Sequence, residues 1–195
     1  MRWKSCCVQK FKSCLGRICR AMRMGRTISI GDLHWRSKDG QHEVTLMGRC
    51  FVKIVKLAGR CRRKETGSIL VGHYTADGRS ATILDVSPIA RDSVSSSCTY
   101  VRGTEGVRKY YRKLQRNSGG RFHFVGEWHT HPFASPVPSG CDRATLQQIA
   151  QEEAIGCASP LLLILGHGMN RPTDIELFWC VGKHLERMEP INSES

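Results

Sequence analysis

Two periods of apolar residues alternate along this chain, and their order lays out its elements. Thr27 to Ile30 reads as a short strand. From His42 to Leu57, apolar residues stand at Val44, Leu46, Met47, Phe51, Ile54, Val55 and Leu57, the spacing of a helix with one face on a core. Glu65 to Tyr74, ETGSILVGHY, is a buried strand. Ala76-Asp77-Gly78-Arg79 is a turn, and Ala81 to Val86 is the returning strand. Thr104 to Arg116 resumes the helical period, with Val107, Tyr110, Tyr111 and Leu114 on one side. Arg108, Lys109, Arg112, Lys113 and Arg116 form its solvated face, and Asn117-Ser118-Gly119-Gly120 stops it. Phe122 to His131 is a strand that runs into the Pro-rich loop Pro132 to Pro138. Ser139 to Glu153 is a third helix, and Leu161 to Leu165 and Ile175 to Val181 are two further strands. Strands and helices mix without the strict alternation of a parallel sheet, so the fold class is α+β.

A chain of 195 residues, 40% hydrophobic, fits one globular domain with a modest extension. No apolar run approaches the roughly 18 residues that span a bilayer, the longest being Leu161 to Leu165. Charge divides the chain more sharply. The formal net charge is +13, yet residues 1–26 hold eight Lys/Arg and no acid. The other 169 residues carry 22 basic and 17 acidic side chains, a net of +5. The division places a basic extension at 1–26, a domain at 27–189 and a tail at 190–195. The extension reads as poorly ordered or as the product of an upstream start, with Met22 or Met24 as the real beginning. An amphipathic helix on an acidic surface competes, since Phe11, Leu15, Ile18 and Met22 recur at helical spacing. Contact with nucleic acid is expected only through this extension. Of ten cysteines, four (Cys6, Cys7, Cys14, Cys19) lie in it, and no CxxC pair occurs anywhere. That spacing suits reduced thiols in a cytoplasmic protein, and no apolar leader region follows the N-terminal charge.

Candidate chemistry concentrates in Gly126 to Asp142, GEWHTHPFASPVPSGCD. His129 and His131 are two apart on a predicted strand, so both imidazoles share one face. Pro132 turns the chain, and ten residues later Asp142 can return a carboxylate to the same ion. Two imidazoles and a carboxylate suit one zinc ion and leave a fourth tetrahedral position for water, which marks a catalytic rather than a structural site. Zinc brings the pKa of that water to about 7. Glu65, at the start of a core strand, is the candidate general base, and Ser139 the candidate donor to a developing oxyanion. Ser139 and Asp142 also read as a capping box of the third helix, a role compatible with holding a ligand. His123, His167, Glu127 and Cys141 are alternative ligands at less informative spacings.

Glu65, His129-Thr130-His131-Pro132, six residues, Ser139, two residues and Asp142 together resemble the JAMM motif of the JAB/MPN metallopeptidases. ETGSILVG resembles the stretch that carries the family's glutamate, with Ser68 where a glycine is common. The resemblance covers roughly residues 27–181. It implies a central mixed sheet flanked by helices, with cytidine-deaminase-like layering, and hydrolysis of a peptide or isopeptidic amide. By it, His129, His131 and Asp142 take the zinc-ligand positions, one Zn2+ per chain. Glu65 takes the acid/base position and Ser139 the oxyanion-stabilising one. GEWHTHP and TYVRGTEG look most like short bacterial JAB proteins of ubiquitin-like conjugation and antiphage (CBASS) operons. The implied partner is a ubiquitin-like or C-terminally ligated protein joined to a target lysine. Two other readings stand beside this one: C-terminal trimming of a ubiquitin-like or sulfur-carrier precursor, and a RadC-like DNA-associated accessory role.

Overall fold

A computed structural model describes residues 29–61, 63–167 and 172–191. The extension 1–26, the first half of the strand expected at Thr27 to Ile30, and Arg62 lie outside the described residues, and Ser29 and Ile30 are in no strand. The described residues form eleven strands and three helices. In chain order these are β1 (Leu33–Arg36), β2 (Glu43–Leu46), α1 (Gly48–Ala58), β3 (Gly67–Tyr74), β4 (Ser80–Val86), β5 (Val94–Ser95), β6 (Tyr100–Val101), α2 (Val107–Asn117), β7 (His123–Pro132), α3 (Gly140–Gln151), β8 (Leu161–His167), β9 (Pro172–Val181), β10 (His184–Arg187) and β11 (Glu189–Ile191).

Nine strands make one sheet in the order β10-β9-β8-β7-β3-β4-β2-β1-β11, and β5 and β6 pair separately. The sheet is mixed: β2 runs parallel to β4 and β7 parallel to β8, and the other pairs are antiparallel. Only Met188 separates β10 from β11, yet they stand at opposite ends of the order, β10 on β9 and β11 on β1. One stretch of chain therefore joins the two edges, and the sheet curls on itself and protects both from unwanted pairing. The division expected at residue 189 falls inside a paired strand, since Trp35 faces Pro190 and His34 faces Ile191.

α1 fills the inside of that curl. Phe51, Ile54, Val55 and Ala58 pack with Trp35, Leu46, Leu70, Ile83, Leu163, Leu177 and Trp179 in one buried cluster. Burying each large apolar side chain is worth about 1.5–3 kcal/mol, so this cluster is the main source of stability. The outer face carries two smaller clusters. Leu146 of α3 covers Leu162, Ile164 and Phe178; Val107, Tyr110, Tyr111 and Leu114 of α2 cover Ile69 and Val71. β8 is covered on both sides, which explains its unbroken apolar run.

The helix expected from His42 to Leu57 is divided. Glu43 to Leu46 is strand β2, held between β1 and β4, and the helix begins only at Gly48. Val44 and Leu46 satisfy either period, and pairing on both sides decides for the strand. A side chain at position 48 would meet the Ile30 carbonyl oxygen at 2.1 Å, so glycine is required where the chain turns into α1.

α2 folds against its own local preferences. Gly106 at its N-cap gives no side-chain hydrogen bond, and its first turn has no acid but holds Arg108 and Lys109 beside the positive end of the helix dipole. Arg108 with Arg112, Arg112 with Arg116, and Lys109 with Lys113 are like charges one turn apart, each costing roughly 0.2–0.5 kcal/mol. Its apolar face on β3 and β7 holds it in place.

Candidate active site

β7 presents alternate residues to opposite faces. Trp128 and Thr130 are wholly buried on the inside, and His129 and His131 stand on the outside. β3 pairs with this segment, Gly67 against His129. A Cβ on Gly67 would lie 2.2 Å from the Trp128 carbonyl oxygen and 2.8 Å from Cβ of His129, so only glycine allows β3 this close to the histidines. Thr130 N–H donates to the Thr66 carbonyl (2.8 Å), and Thr66 N–H to Thr130 Oγ1 (3.1 Å), tying the residues after Glu65 to β7.

After Pro132 the chain folds back over β8. A Cβ at Gly166 would meet Pro136 Cδ at 2.9 Å. This return brings the Ser135 carbonyl 3.2 Å from Nδ1 of His131. An Nδ1–H that donates there leaves the Nε2 lone pair free. The loop ends at Ser139, which caps α3. Ser139 Oγ accepts from Asp142 N–H (3.1 Å), while Asp142 Oδ2 accepts from Ser139 N–H (2.7 Å) and Ser139 Oγ (2.6 Å). The capping box is complete, and it aims the Asp142 carboxylate at the histidines.

The three groups converge. His129 Nε2 and His131 Nε2 are 3.0 Å apart; Asp142 Oδ1 is 3.4 Å from the first, and Oδ2 is 3.6 Å from the second. Donors bound about 2.0–2.1 Å from one tetrahedral ion lie about 3.3 Å from each other; the two imidazole nitrogens are near that spacing, and each has one oxygen of the Asp142 carboxylate at a similar distance. Two imidazole nitrogens and a carboxylate also make a donor set suited to zinc. Among the described residues, this is the only group of three or more His, Cys, Asp or Glu whose ligand atoms gather so closely.

Electrostatics keep His129 and Asp142 in binding form, while the Asp142 charge favours a proton on His131 that a bound ion would displace. Burial lowers the His129 pKa to about 4, with the charge of Asp142 opposing, so its imidazole is neutral at pH 7. His131 is raised, chiefly by its hydrogen bond to Asp142 and against its own burial. Burial alone would raise Asp142, but its bonds to His131 and Ser139 and the charge of His129 hold it well below the usual carboxylate range.

Glu65 does not begin β3, as the sequence implied, but lies two residues before it. Its N–H donates to the Ser96 carbonyl (2.7 Å), in the link between β5 and β6. Its carboxyl is half-buried and raised, first by burial; the Asp142 charge adds and the His131 charge opposes. Glu65, His129, His131, Ser139 and Asp142 all line one cleft of about 620 Å3.

The β5–β6 hairpin forms the far wall of this cleft and is the part that sequence reasoning missed. Its strands are two residues each, too short for any period. It is fixed by the Tyr100 hydroxyl on the Gly67 carbonyl (2.5 Å) and by Arg102 Nε on Glu127 (2.6 Å). Glu127 is thus engaged in an ion pair. Cys141 is exposed on the opposite wall, and its sulfur is outside the converging group. His123 is exposed at the start of β7, and the side chain of His167 lies outside the described part.

A His-His-Asp cluster and a carboxylate in one cleft suit metal-dependent hydrolysis. The chain belongs to the prokaryotic homologs of the JAB domain, whose family model matches residues 48–181. It is 31% identical over 153 residues to a protein of Enterobacter hormaechei subsp. hoffmannii named CD-NTase/cGAS isopeptidase, covering 78% of this chain and 81% of that one. A Vibrio cholerae protein of the same name is 29% identical over 104 residues, 52% of this chain and 62% of that one. A probable metalloprotease of Sinorhizobium fredii is 28% identical over 116 residues, 59% of this chain and 70% of that one. A Desulfitobacterium hafniense protein of known solution structure shares the fold, with a TM-score of 0.53 at 18% identity over 75% of this chain and 90% of that one. Among the described residues no helix is long and apolar enough to cross a membrane.

Proposed function

We propose that this chain is a zinc-dependent isopeptidase that cleaves the amide between the C-terminus of a ligated protein and the lysine of its target. The observation that carries this reading is the convergence of His129, His131 and Asp142 in one cleft with the half-buried Glu65. The relatives named CD-NTase/cGAS isopeptidase support it and suggest the ligated protein: a CD-NTase or a similarly joined, ubiquitin-like chain, in a bacterial antiphage conjugation system.

In this reading His129 Nε2, His131 Nε2 and the Asp142 carboxylate hold one zinc ion. Bound there, zinc supplies Lewis-acid polarisation of the scissile carbonyl and a water acidic enough to ionise near neutral pH. The burial of His129 keeps its imidazole neutral, and the Ser135 carbonyl orients His131 from behind. Glu65 accepts the proton of the attacking water and passes it to the departing lysine amine. Its raised pKa brings it nearer to the working pH, where a carboxyl can both accept and return a proton. Ser139 donates to the developing oxyanion by turning its hydroxyl proton from Asp142 Oδ2 toward the cleft. Asp142 keeps its bond from the Ser139 N–H through that turn.

The test is cleavage of a protein tail joined through its C-terminal carboxyl to a lysine ε-amine, followed by mass spectrometry. The expected products are the tail with its native carboxyl and the unmodified lysine. A shortened tail would make the chain a trimming peptidase instead. Zinc-loaded Glu65→Gln protein that cleaves at the wild-type rate would remove Glu65 from the mechanism.

A further inference from the structure

We infer that the exposed face of α2 is a binding surface for the phosphate backbone of a nucleic acid, separate from the catalytic cleft. Arg108, Lys109, Arg112, Lys113 and Arg116 are all exposed, and none is ion-paired among the described residues. Residues 27–195 carry 22 basic and 17 acidic side chains; these five make up the whole excess, and elsewhere the two signs cancel. One eleven-residue helix thus carries five cations and no acid. This departs from the sequence-based reading, which assigns any nucleic-acid contact mainly to residues 1–26, with Arg60 to Lys64 beside them in the RadC-like alternative.

The helix is also built against itself. Like charges recur one turn apart, cations crowd the positive end of the dipole, and no side chain caps it. Local rules broken together on the exposed face, and outweighed only by the apolar face packed on β3 and β7, are expected where a surface serves a ligand. A polyanion laid along α2 relieves each of these conflicts. Arg108, Arg112 and Arg116 stand at successive turns, about 6 Å apart along the axis, and their planar forks suit phosphate oxygens. A shallow cleft of about 630 Å3 runs beside them; its one acid, Glu105, is held by Arg91 at 3.3 Å.

Charge alone would admit an acidic protein as partner, but the apolar anchors of a protein interface are missing. The exposed large hydrophobic residues are Val94, Val101, Phe133, Val137 and Ile155, none of them on α2. A contact made only of cations reads backbone and not sequence. α2 covers β3 and β7 on the same outer face as the catalytic residues, so a bound strand would lie within one element of the cleft without entering it.

The experiment measures binding of the full chain to a fluorescein-labelled DNA duplex of about 20 base pairs, by anisotropy, from about 50 to 200 mM salt. The basic extension is common to all variants, so the reading is the difference between them. Arg108→Gln/Arg112→Gln/Arg116→Gln should weaken binding at least about tenfold and lower the salt slope by about 2.7, or 0.9 per lost phosphate contact. It should melt no lower than wild type. If the triple variant is unstable, Arg112→Gln alone should lower the slope by about 0.9. Displacement of the probe by unlabelled DNA or RNA duplex supports the proposal and ranks the two. Unchanged affinity and slope would overturn it, as would poly-glutamate that competes as well as duplex, which would assign the face to an acidic protein.

Discussion

The two faces of β7 are made by neighbouring residues and do opposite work. Inside, Trp128 and Thr130 are wholly buried against the core that surrounds α1. Outside, His129 and His131 face an open cleft that also holds Glu65, Ser139 and Asp142, beside apolar residues such as Leu146 and Leu162. A strand period of two separates stability from chemistry by one residue. The inner face needs volume and dryness; the outer face needs lone pairs kept free of protons. Substitutions on the two faces should therefore fail in different ways, and that difference can be measured.

The largest effect belongs to the donor set. His129→Ala or Asp142→Ala should lower cleavage at least about 10^4-fold, because loss of the ion removes both polarisation and nucleophile. The metal-free variants should still fold, as seen by circular dichroism, since the core lies on the other face. Next, Glu65→Gln should lower kcat by about 10^2–10^4-fold with zinc retained, separating proton transfer from metal binding. On the inner face the pattern inverts. Leu163→Ala, beside Trp128 on β8, should cost about 2–5 kcal/mol in denaturant unfolding and leave zinc per folded chain unchanged. Ser139→Ala crosses the boundary, since the residue both caps α3 and faces the cleft. It should cost about 1 kcal/mol of stability and about 10^2-fold in kcat.

The smallest effect is one of pH on the metal-free protein. His129 has its folded pKa lowered from 6.5 to about 4, so the folded state binds fewer protons than the unfolded. Its contribution is intact above pH 6.5 and is lost as the pH falls toward 4. His131 is raised, so the stability it adds is fully present below 6.5 and is lost as the pH rises through its folded value. Together they predict a melting temperature, measured with chelator present, that peaks near pH 6.5. His129→Ala should remove the acid-side decline and leave the alkaline side.

The candidate site is legible in the sequence because short-range rules govern it. His129 and His131 are two apart on one strand, Pro132 ends that strand's course, and Ser139 with Asp142 is a four-residue cap. Each signal is local, and the fold only had to bring them together. The sequence makes Glu65 a strand residue; the strand begins two residues later, and a hairpin with no sequence period holds its backbone. The far edge was hidden for a different reason. β1, β10 and β11 are short and partly polar, and β11 is a strand only because Trp35 and its neighbours, some 155 positions earlier, lie beside it. Val44 and Leu46 of β2 fit both periods, and the choice of strand over helix rests on β4.

Zinc bound per chain, measured by elemental analysis on three proteins purified alike, tests the centre of this account most directly. The account predicts one zinc in the wild type, one in Glu65→Gln and close to none in Asp142→Ala. A full complement of zinc in folded Asp142→Ala would mean that the ion is held elsewhere, and would contradict the site formed by His129, His131 and Asp142.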